Sequence, residues 1–468
     1  MNDLKRLDDE IRVIVPTGML GGGVLREHVR YGIDQGAHAI ATDAGSTDSG
    51  PSYLARGVSK MNREAIKHDL TILISEASKA RIPVLVGTCG TCGTDSGVDW
   101  TRDVVVEIAR ALGIKPKIAC LYSEQRADVM AAKNREGKIT PLPPLGAISD
   151  DVILSCDHIV ALMGPEPYMA ALRQGADMVL GGRTTDTAVL AAVPLLYGAG
   201  QGAAWHAGKI AECGGMCTER PRAGGVLMRV GKDGFEIEPL NPANRCTPET
   251  VSAHMLYENN DPYCLTEPGG ILDVTGSVYQ QVSQRVTAVT GSVWHPMPYT
   301  MKLEGARGGE FQTIMIIGIE DPETLANLDQ YHDVLLATLK SRIETVFPSE
   351  RFDVSLRIFG WNGTSGRPVR KGTPPPPDAG ILCVITAATQ DLANRMAKAC
   401  NPYFFHTPLR PGIEMPSYAF PFTPAEIPRG QVYEFVLNHV VHVCDGLELV
   451  RSEWIDLDEG EVGDRFNG

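Results

Sequence analysis

Several features that identify large classes of protein are missing from this sequence of 468 residues. No apolar run is long enough to span a membrane, and the N-terminal segment MNDLKRLDDEIRVIV is charged where a secretory signal would be apolar. Lysine and arginine form no long run, and the formal net charge of −14 opposes contact with a phosphate backbone. We therefore expect a cytoplasmic protein that binds neither nucleic acid nor a membrane.

Motifs of several well-known catalytic and cofactor sites are also missing. There is no G-x-S-x-G elbow, no HExxH and no EF-hand loop. The segment PTGMLGGG at 16–23 follows an apolar run, but no lysine follows its glycines and no third spaced glycine opens a helix. An oxidoreductase that uses a nicotinamide or flavin cofactor is therefore disfavoured.

Cysteine usage argues against a disulfide framework. The eleven cysteines are an odd number in a long acidic chain, which favours reduced thiols. Cys89 and Cys92 form a CxxC without a second pair at zinc-finger spacing, and Cys213 and Cys217 form a looser pair. The spacing therefore does not favour a structural zinc site.

The length predicts at least two domains, because a single core stops growing at roughly 250–300 residues. In residues 1–205, six apolar runs end in loops and alternate with helical patterns: IRVIVPTG, AHAIATDAG, IPVLVGTCG, PKIACLYS, HIVALMG and ADMVLGG. Strands that are apolar on both faces and alternate with helices are typical of a parallel sheet covered on both sides. We expect an α/β domain here.

Residues 206–468 predict an α+β domain with a mainly antiparallel sheet. A hairpin turns at Lys232, two strands follow within 299–321, and a helix is expected near 322–345. A strand, a proline-rich linker at 372–380 and a strand–helix pair come next. The segment YEFVLNHVV fits either a helix or a strand, and a flexible acidic tail is expected to end the chain.

Three loops that follow predicted strands share a Thr-Asp element, and ligands of parallel α/β sheets bind at this end of the strands. In the first loop, ATDAGSTDSG at 41–50, Asp43 and Asp48 are candidate general bases or metal ligands, with Thr42 and Ser46 beside them. The alternative is that Asp48 or Ser49 only caps the next helix.

The second loop, TCGTCGTDSG at 88–97, is rich in hydroxyls, thiols and glycines. Glycines flank both cysteines, whereas a redox CxxC usually opens a helix directly, so we favour a substrate-lining loop over a redox site. A plain turn is the alternative. The candidate residues are Thr88, Cys89, Gly90, Thr94 and, as a catalytic carboxylate, Asp95.

The third loop, GGRTTDTA at 181–188, combines a helix start with an arginine. Free N–H groups at a helix N-terminus and a planar guanidinium both suit a carboxylate or phosphate. The alternative is a capped helix with the arginine in an internal salt bridge. The candidate substrate-binding residues are Gly182, Arg183, Thr184, Thr185 and Asp186.

Taken in order, the segments ATDAGSTDSGPSYL, GTCGTCGTDSG, GADMVLGGRTTDTA, HMLYENNDPYCLTEPGG, KLEGA and YEFVLNHVV resemble the acyclic terpene utilisation (AtuA-like) family. The resemblance runs from about Ile11 to about Val441. It implies a role in bacterial breakdown of acyclic terpenes such as citronellol and geraniol, whose acids are handled as CoA thioesters. It also points to Asp261, Glu267 and Gly269 in the fourth segment.

Longer members of that family carry an additional C-terminal ferredoxin-like domain, whereas shorter members work with that piece as a separate small protein. This chain resembles the shorter kind, which implies a small companion subunit. A homo-oligomer is also expected, as for most cytosolic enzymes.

The residues and the resemblance together favour a catabolic lyase or hydratase acting on a branched hydroxy- or oxo-carboxylic acid or its CoA thioester. Arg183 and Thr184 would hold a carboxylate, Asp43 or Asp48 would transfer a proton, and the loop at 87–97 would stabilise negative charge. Mg²⁺ or Mn²⁺ could bind Asp43, Asp48 or Asp95. The alternative is a non-catalytic subunit that binds an acyl substrate for its companion.

Overall fold

A computed structural model of the protein describes residues 10–259, 261–370, 372–413, 418–457 and 462–466. Its strands are β1 (Ile11–Val15), β2 (Ala39–Asp43), β3 (Val84–Gly87), β4 (Lys117–Tyr122), β5 (Ile139–Pro141), β6 (His158–Ala161), β7 (Met178–Gly181), β8 (Val226–Val230), β9 (Gly234–Pro239), β10 (Cys264–Glu267), β11 (Gly270–Asp273), β12 (Val278–Gln281), β13 (Thr287–Thr290), β14 (Val293–Pro296), β15 (Thr300–Ile319), β16 (Phe352–Phe359), β17 (Ala379–Ala387), β18 (Tyr418–Ala419), β19 (Ile427–His442), β20 (Arg451–Asp456) and β21 (Val462–Phe466).

The α-helices are α1 (Arg26–Asp34), α2 (Pro51–Arg56), α3 (Arg63–Ala80), α4 (Asp95–Leu112), α5 (Ala127–Arg135), α6 (Asp150–Leu154), α7 (Glu166–Arg173), α8 (Asp186–Leu196), α9 (Gln201–Ala211), α10 (Pro248–His254), α11 (Pro322–Ala326), α12 (Leu328–Val346) and α13 (Gln390–His406). No helix in the described part of the chain is both long enough and apolar enough to cross a membrane.

A large mixed sheet has a parallel centre, which confirms the predicted α/β fold. Its strand order is β12-β13-β9-β8-β1-β2-β3-β7-β4-β20-β21. The five strands from β1 to β4 in that order are parallel to one another, and antiparallel strands flank them on both sides. The carboxyl ends of the five parallel strands therefore meet at one edge of the sheet.

Alternate residues of these strands pack into two separate cores, because successive side chains of a strand point to opposite faces. Ile14, Ile40 and Val86 lie in the core formed with α1, α3 and α4. Val13 and Leu85 lie in the core formed with α7, α8 and α9. Burial of each such aliphatic side chain contributes about 1.5–3 kcal/mol to the free energy of folding. Helices therefore cover both faces of the sheet, as the apolar runs predicted.

One of the six predicted parallel strands lies elsewhere, which corrects that part of the prediction. β6, from HIVALMG, pairs antiparallel with β15 through Leu303–Ala306. It has no place in the parallel sheet because β7 occupies one side of β4 and the antiparallel β20 occupies the other. The apolar run identified a buried strand but did not specify its partner.

Two helices, α2 and α3, connect β2 to β3, and a glycine separates them. Gly57 ends α2 in the left-handed conformation, with φ of 59°. Asn62 then caps α3 by accepting hydrogen bonds from the backbone N–H groups of Glu64 and Ala65.

The second half of the chain matches most of the predicted strand and helix types, but the helix expected near 322–345 is divided into α11 and α12. The hairpin at Lys232 is confirmed, since β8 and β9 pair antiparallel. The two strands expected within 299–321 are a single strand of 20 residues, β15. YEFVLNHVV belongs to strand β19 rather than to a helix.

The chain forms two compact units, Met1–Arg307 with Phe435–Gly468, and Gly308–Glu434. The division differs from the predicted boundary at residue 205, which lies within the buried helix α9. The change of sequence pattern there marks the passage from parallel to antiparallel strands within one sheet. In the smaller unit, β16, β17 and part of β15 form an antiparallel sheet on which α12 and α13 pack.

The predicted acidic tail contains one strand. β21 pairs antiparallel with β20. The rest of the predicted tail, residues 458–461 and 467–468, lies outside the described residues.

Candidate functional site

The three Thr-Asp loops contact one another at the carboxyl edge of the parallel strands. In the backbone, Ala44 N donates to Gly87 O at 2.9 Å, and Arg183 N donates to Gly93 O at 3.1 Å. The Thr88 hydroxyl donates to the Thr184 carbonyl at 3.2 Å. The strand order β2-β3-β7 makes these loops neighbours, so residues far apart in sequence meet here.

Gly93 is required by the contact between the second and third loops. Its φ is +67°, and a Cβ atom there would lie 2.1 Å from the backbone N of Arg183. We expect Gly93→Ala to lower the free energy of unfolding by about 3 kcal/mol or more, measured by urea denaturation, because backbone must move. Gly113→Ala is the matched control: its φ is +65° but nothing lies within 4 Å, so we expect a loss of only about 1 kcal/mol. Equal losses would contradict the close approach.

Arg183 lies in a buried ion-pair network that joins the third loop to β15. Its side chain is 6% exposed, and its Nε donates to Glu304 Oε2 at 3.0 Å. Its Nη1 donates to the Thr184 carbonyl at 3.1 Å. Glu304 also accepts from Thr47 Oγ1 at 2.9 Å and from Lys302 Nζ at 2.8 Å. The internal salt bridge considered as the alternative is therefore present, and Arg183 orients the loops from below the surface.

The electrostatic effect of this network is large at Glu304. Burial by itself raises the pKa of Glu304, but the charges of Arg183 and Lys302 lower it to about 2. Glu304 is therefore ionised at neutral pH and is a fixed countercharge for Arg183.

Asp43 and Asp186 form a pair of carboxyl groups beside the same guanidinium. Asp43, the last residue of β2, is buried, and its Oδ2 accepts from Gly45 N at 2.8 Å. Asp186, the first residue of α8, has Oδ1 3.5 Å from Arg183 Nη1 and is 29% exposed. Burial raises the pKa of Asp43 well above its usual value, the charge of Asp186 raises it further, and Arg183 opposes both.

The pKa of Asp186 is also raised, first by burial and then by the charge of Asp48, while Arg183 opposes the rise. Two carboxyl groups with raised pKa values, one enclosed and one partly exposed, can divide the roles of proton donor and proton acceptor. This is the arrangement at the site that can perform acid–base chemistry.

Asp95 faces a different set of partners from Asp43 and Asp186. Its Oδ2 lies 3.1 Å from Arg451 Nη2, and its backbone N donates to Glu124 Oε2 at 2.7 Å. Burial and the charge of Glu124 raise the pKa of Asp95 to about 6, while Arg451 opposes the rise.

The raised pKa of Asp95 predicts a pH dependence of stability. Because the folded protein holds this proton more tightly than the unfolded chain, the stabilisation is complete below roughly pH 4 and is lost as pH rises through about 6. In urea titrations, unfolding free energy should fall between these values, by roughly 1 kcal/mol for a partly exposed group. Asp95→Asn should reduce that fall, and an identical fall in both proteins would contradict the assignment.

Asp48 is exposed and accepts a hydrogen bond from the Ser46 hydroxyl at 2.9 Å, so it lies at the rim of the first loop. Among the described residues, the groups able to bind a metal do not include Asp43, Asp48 and Asp95 together. These three carboxylates therefore do not form one three-ligand cluster, and binding of Mg²⁺ or Mn²⁺ by Asp43, Asp48 or Asp95 stays a prediction.

The thiols of the second loop are buried. Burial raises the pKa of both Cys89 and Cys92, which opposes formation of a reactive thiolate. Thr94 caps α4 by accepting from Gly97 N, and Thr185 caps α8 by accepting from Ala188 N. The remaining predicted substrate-binding residues lie in the same three contacting loops: Thr42, Gly90 and Gly182.

A second group of charged side chains near Asp186 was missed by the sequence analysis. Lys209 on α9 and Glu212, which directly follows that helix, are both buried. Lys209 Nζ donates to Glu212 Oε1 at 2.5 Å and to the Tyr257 carbonyl at 3.0 Å. Burial and the charge of Asp186 raise the pKa of Glu212 to about 8, while Lys209 opposes the rise. The sequence signal for this pair is two charged residues, three positions apart, in the mostly small and apolar segment GAAWHAGKIAEC.

Glu267, which the family resemblance indicated, is also buried. Burial raises its pKa to about 7, and the hydroxyls of Thr185 and Thr187 oppose this. Glu304, within the resembling segment KLEGA, was not singled out because its partner Arg183 is distant in sequence.

The comparisons with known proteins agree with the motifs. The family model described as acyclic terpene utilisation family protein AtuA matches residues 54–436, which is most of the chain. No curated protein and no solved structure matches the chain.

Proposed function

The chain belongs to the acyclic terpene utilisation family, and from this premise we propose that it is a lyase or hydratase of that catabolism. Its substrate is a branched hydroxy- or oxo-carboxylic acid or the corresponding CoA thioester. Family membership suggests the role in acyclic terpene utilisation, and the acid–base pair Asp43 and Asp186 supports the reaction class.

Both reaction types require one group that accepts a proton and another that donates one. In carbon–carbon cleavage of a 3-hydroxyacyl substrate, a base takes the hydroxyl proton and the C2–C3 bond breaks to leave a carbonyl at C3. The electron pair then resides on C2 as an enolate, which an acid protonates. In hydration, the base takes a proton from water as its oxygen adds to C3, and the acid protonates C2.

The structure supports assigning these roles to two different carboxyl groups. Asp186 is the more exposed and lies at the start of α8, so it suits the base that meets the substrate. Asp43 is enclosed, and burial raises its pKa well above its usual value, so it suits the acid. Arg183 and Glu304 are positioning residues. The Arg183 side chain hydrogen-bonds to buried partners, so it affects the substrate only by orienting the loops.

The assay supplies branched 3-hydroxy and 2,3-unsaturated acids, and their CoA thioesters, and measures cleavage or hydration products by mass spectrometry. We expect Asp43→Asn to lower the rate by roughly 10²–10⁴-fold, the usual contribution of a general acid or base. Asp34→Asn, at the exposed end of α1, is the control and should retain full activity.

The predicted companion subunit and homo-oligomer stay predictions, and the assay is run with and without the small companion. Substrate binding without any turnover under either condition would contradict the enzyme and favour a non-catalytic acyl-binding subunit.

A further inference from the structure

A cluster of three possible metal ligands lies outside the predicted catalytic loops. A carboxylate oxygen of Glu212, the Sγ of Cys213 and a ring nitrogen of His254 all lie within 4.8 Å of one another. Glu212 and Cys213 follow the end of α9, and His254 ends α10. Ligand atoms around a tetrahedral zinc ion are about 3.5 Å apart, so small side-chain rotations close this set around an ion.

His254 supplies the independent indication of a ligand. Its side chain is 3% exposed, and its Nε2 lies 3.9 Å from Glu212 Oε1. This nitrogen is buried and has no hydrogen-bond partner among the described residues. An unpaired buried polar atom is costly, and a metal ion would satisfy it together with the adjacent carboxylate and thiol.

The surroundings also favour a cation. The negative charges of Asp186, Glu212 and Glu258 interact electrostatically with Cys213. Lys209 is the positive group whose charge opposes theirs. Lys209 Nζ donates to Glu212 Oε1 at 2.5 Å. The ammonium therefore occupies a position beside the carboxylate that a bound metal ion would need. Metal binding would therefore displace the ammonium from Glu212.

We propose that Glu212, Cys213 and His254 form a binding site for a divalent transition metal, with Zn²⁺ as the best match. Imidazole, thiolate and carboxylate are the donors that zinc takes in proteins, whereas Mg²⁺ and Ca²⁺ prefer oxygen alone. Three protein ligands leave a fourth position open to water or substrate. The site does not depend on the proposed reaction, because it rests on different residues from Asp43 and Asp186.

The test uses the full-length protein, freed of metal by a chelator and titrated with Zn²⁺ by calorimetry and with Co²⁺ by absorption spectroscopy. We expect one ion per chain and a thiolate-to-cobalt charge-transfer band. Cys213→Ser should remove that band. Loss of an outer-shell partner weakens metal binding by roughly 10–100-fold, and His254→Asn, which removes a direct ligand, should weaken it by more than this. Cys264→Ser, at an exposed cysteine, is the control and should change neither result.

Lys209→Met distinguishes a metal site from a loss of folding. Without the competing ammonium, Zn²⁺ should bind roughly tenfold more tightly and should stabilise this variant more than the parent. Absence of binding in the parent and in Lys209→Met would overturn the site, as would equal affinity in the parent, Cys213→Ser and His254→Asn. The acid–base assay of Asp43→Asn is a separate measurement, so the two proposals can fail independently.

Discussion

Replacement of Arg183 by methionine lowers the free energy of unfolding by about 3–5 kcal/mol, because it leaves the ionised Glu304 buried without its main partner. Both side chains of the pair are nearly inaccessible, with 6% and 5% exposure. Lys302 and Thr47 still bond to Glu304, so the loss should not exceed this range. Urea denaturation of the two proteins measures the difference.

The control for Arg183→Met is an ion pair of the same type at the surface. Arg126 and Asp128 are 2.7 Å apart, but their side chains are 79% and 60% exposed. Arg126→Met should therefore leave the free energy of unfolding nearly unchanged. A similarly small loss of stability in Arg183→Met would mean that water or another cation compensates the charge of Glu304. The ion-pair network would then not be what stabilises the loops.

Asp186→Asn lowers the catalytic rate by roughly 10²–10⁴-fold and shifts the remaining pH profile, because it removes both a proton acceptor and a negative charge. That charge is one of the causes that raise the pKa of Asp43, so the pKa of Asp43 falls in the variant. The limb of the profile that reports loss of the proton from the acid should move to lower pH. Rates measured across the pH range, at saturating substrate, test both effects.

An unchanged limb in Asp186→Asn would mean that Asp43 and Asp186 do not interact, and a shift to higher pH would contradict the sign of the effect. Asp48→Asn offers a comparison, since Asp48 is exposed and acts on Asp186 through charge. This change should leave the rate within about tenfold of the parent, because a rim carboxylate transfers no proton in the account.

The sequence predicted the sheet because its strands carry the information locally. The runs ending at Val15, Asp43 and Gly87 are apolar on both faces, and this pattern requires burial between two layers of helices. It could not place β6, because an apolar run fixes burial and strand type but not the neighbouring strand.

The site was predicted in part for the same reason. The loops with Asp43 and Asp186 follow strands of one parallel sheet, so their meeting at one edge follows from topology. The partner of Arg183 could not be predicted, since Glu304 is more than a hundred residues away and only the tertiary structure brings it near. Lys209 and Glu212 were missed because charged residues on a helix usually face solvent.

The central claim is that Asp43 and Asp186 form a pair of carboxyl groups that retains a proton for catalysis. Infrared spectroscopy of the parent, Asp43→Asn and Asp186→Asn across the pH range measures this directly, without a substrate. Glu267 and Glu212, whose pKa values are raised to about 7 and about 8, keep their own protonated-carboxyl bands in all three proteins. The account predicts one further C=O stretch that persists well above roughly pH 4, where a free aspartic acid ionises, and that is lost in Asp43→Asn. In Asp186→Asn this band should disappear at a lower pH than in the parent. Carboxyl spectra above pH 4 that are identical in all three proteins, with no band lost in Asp43→Asn, would contradict the claim.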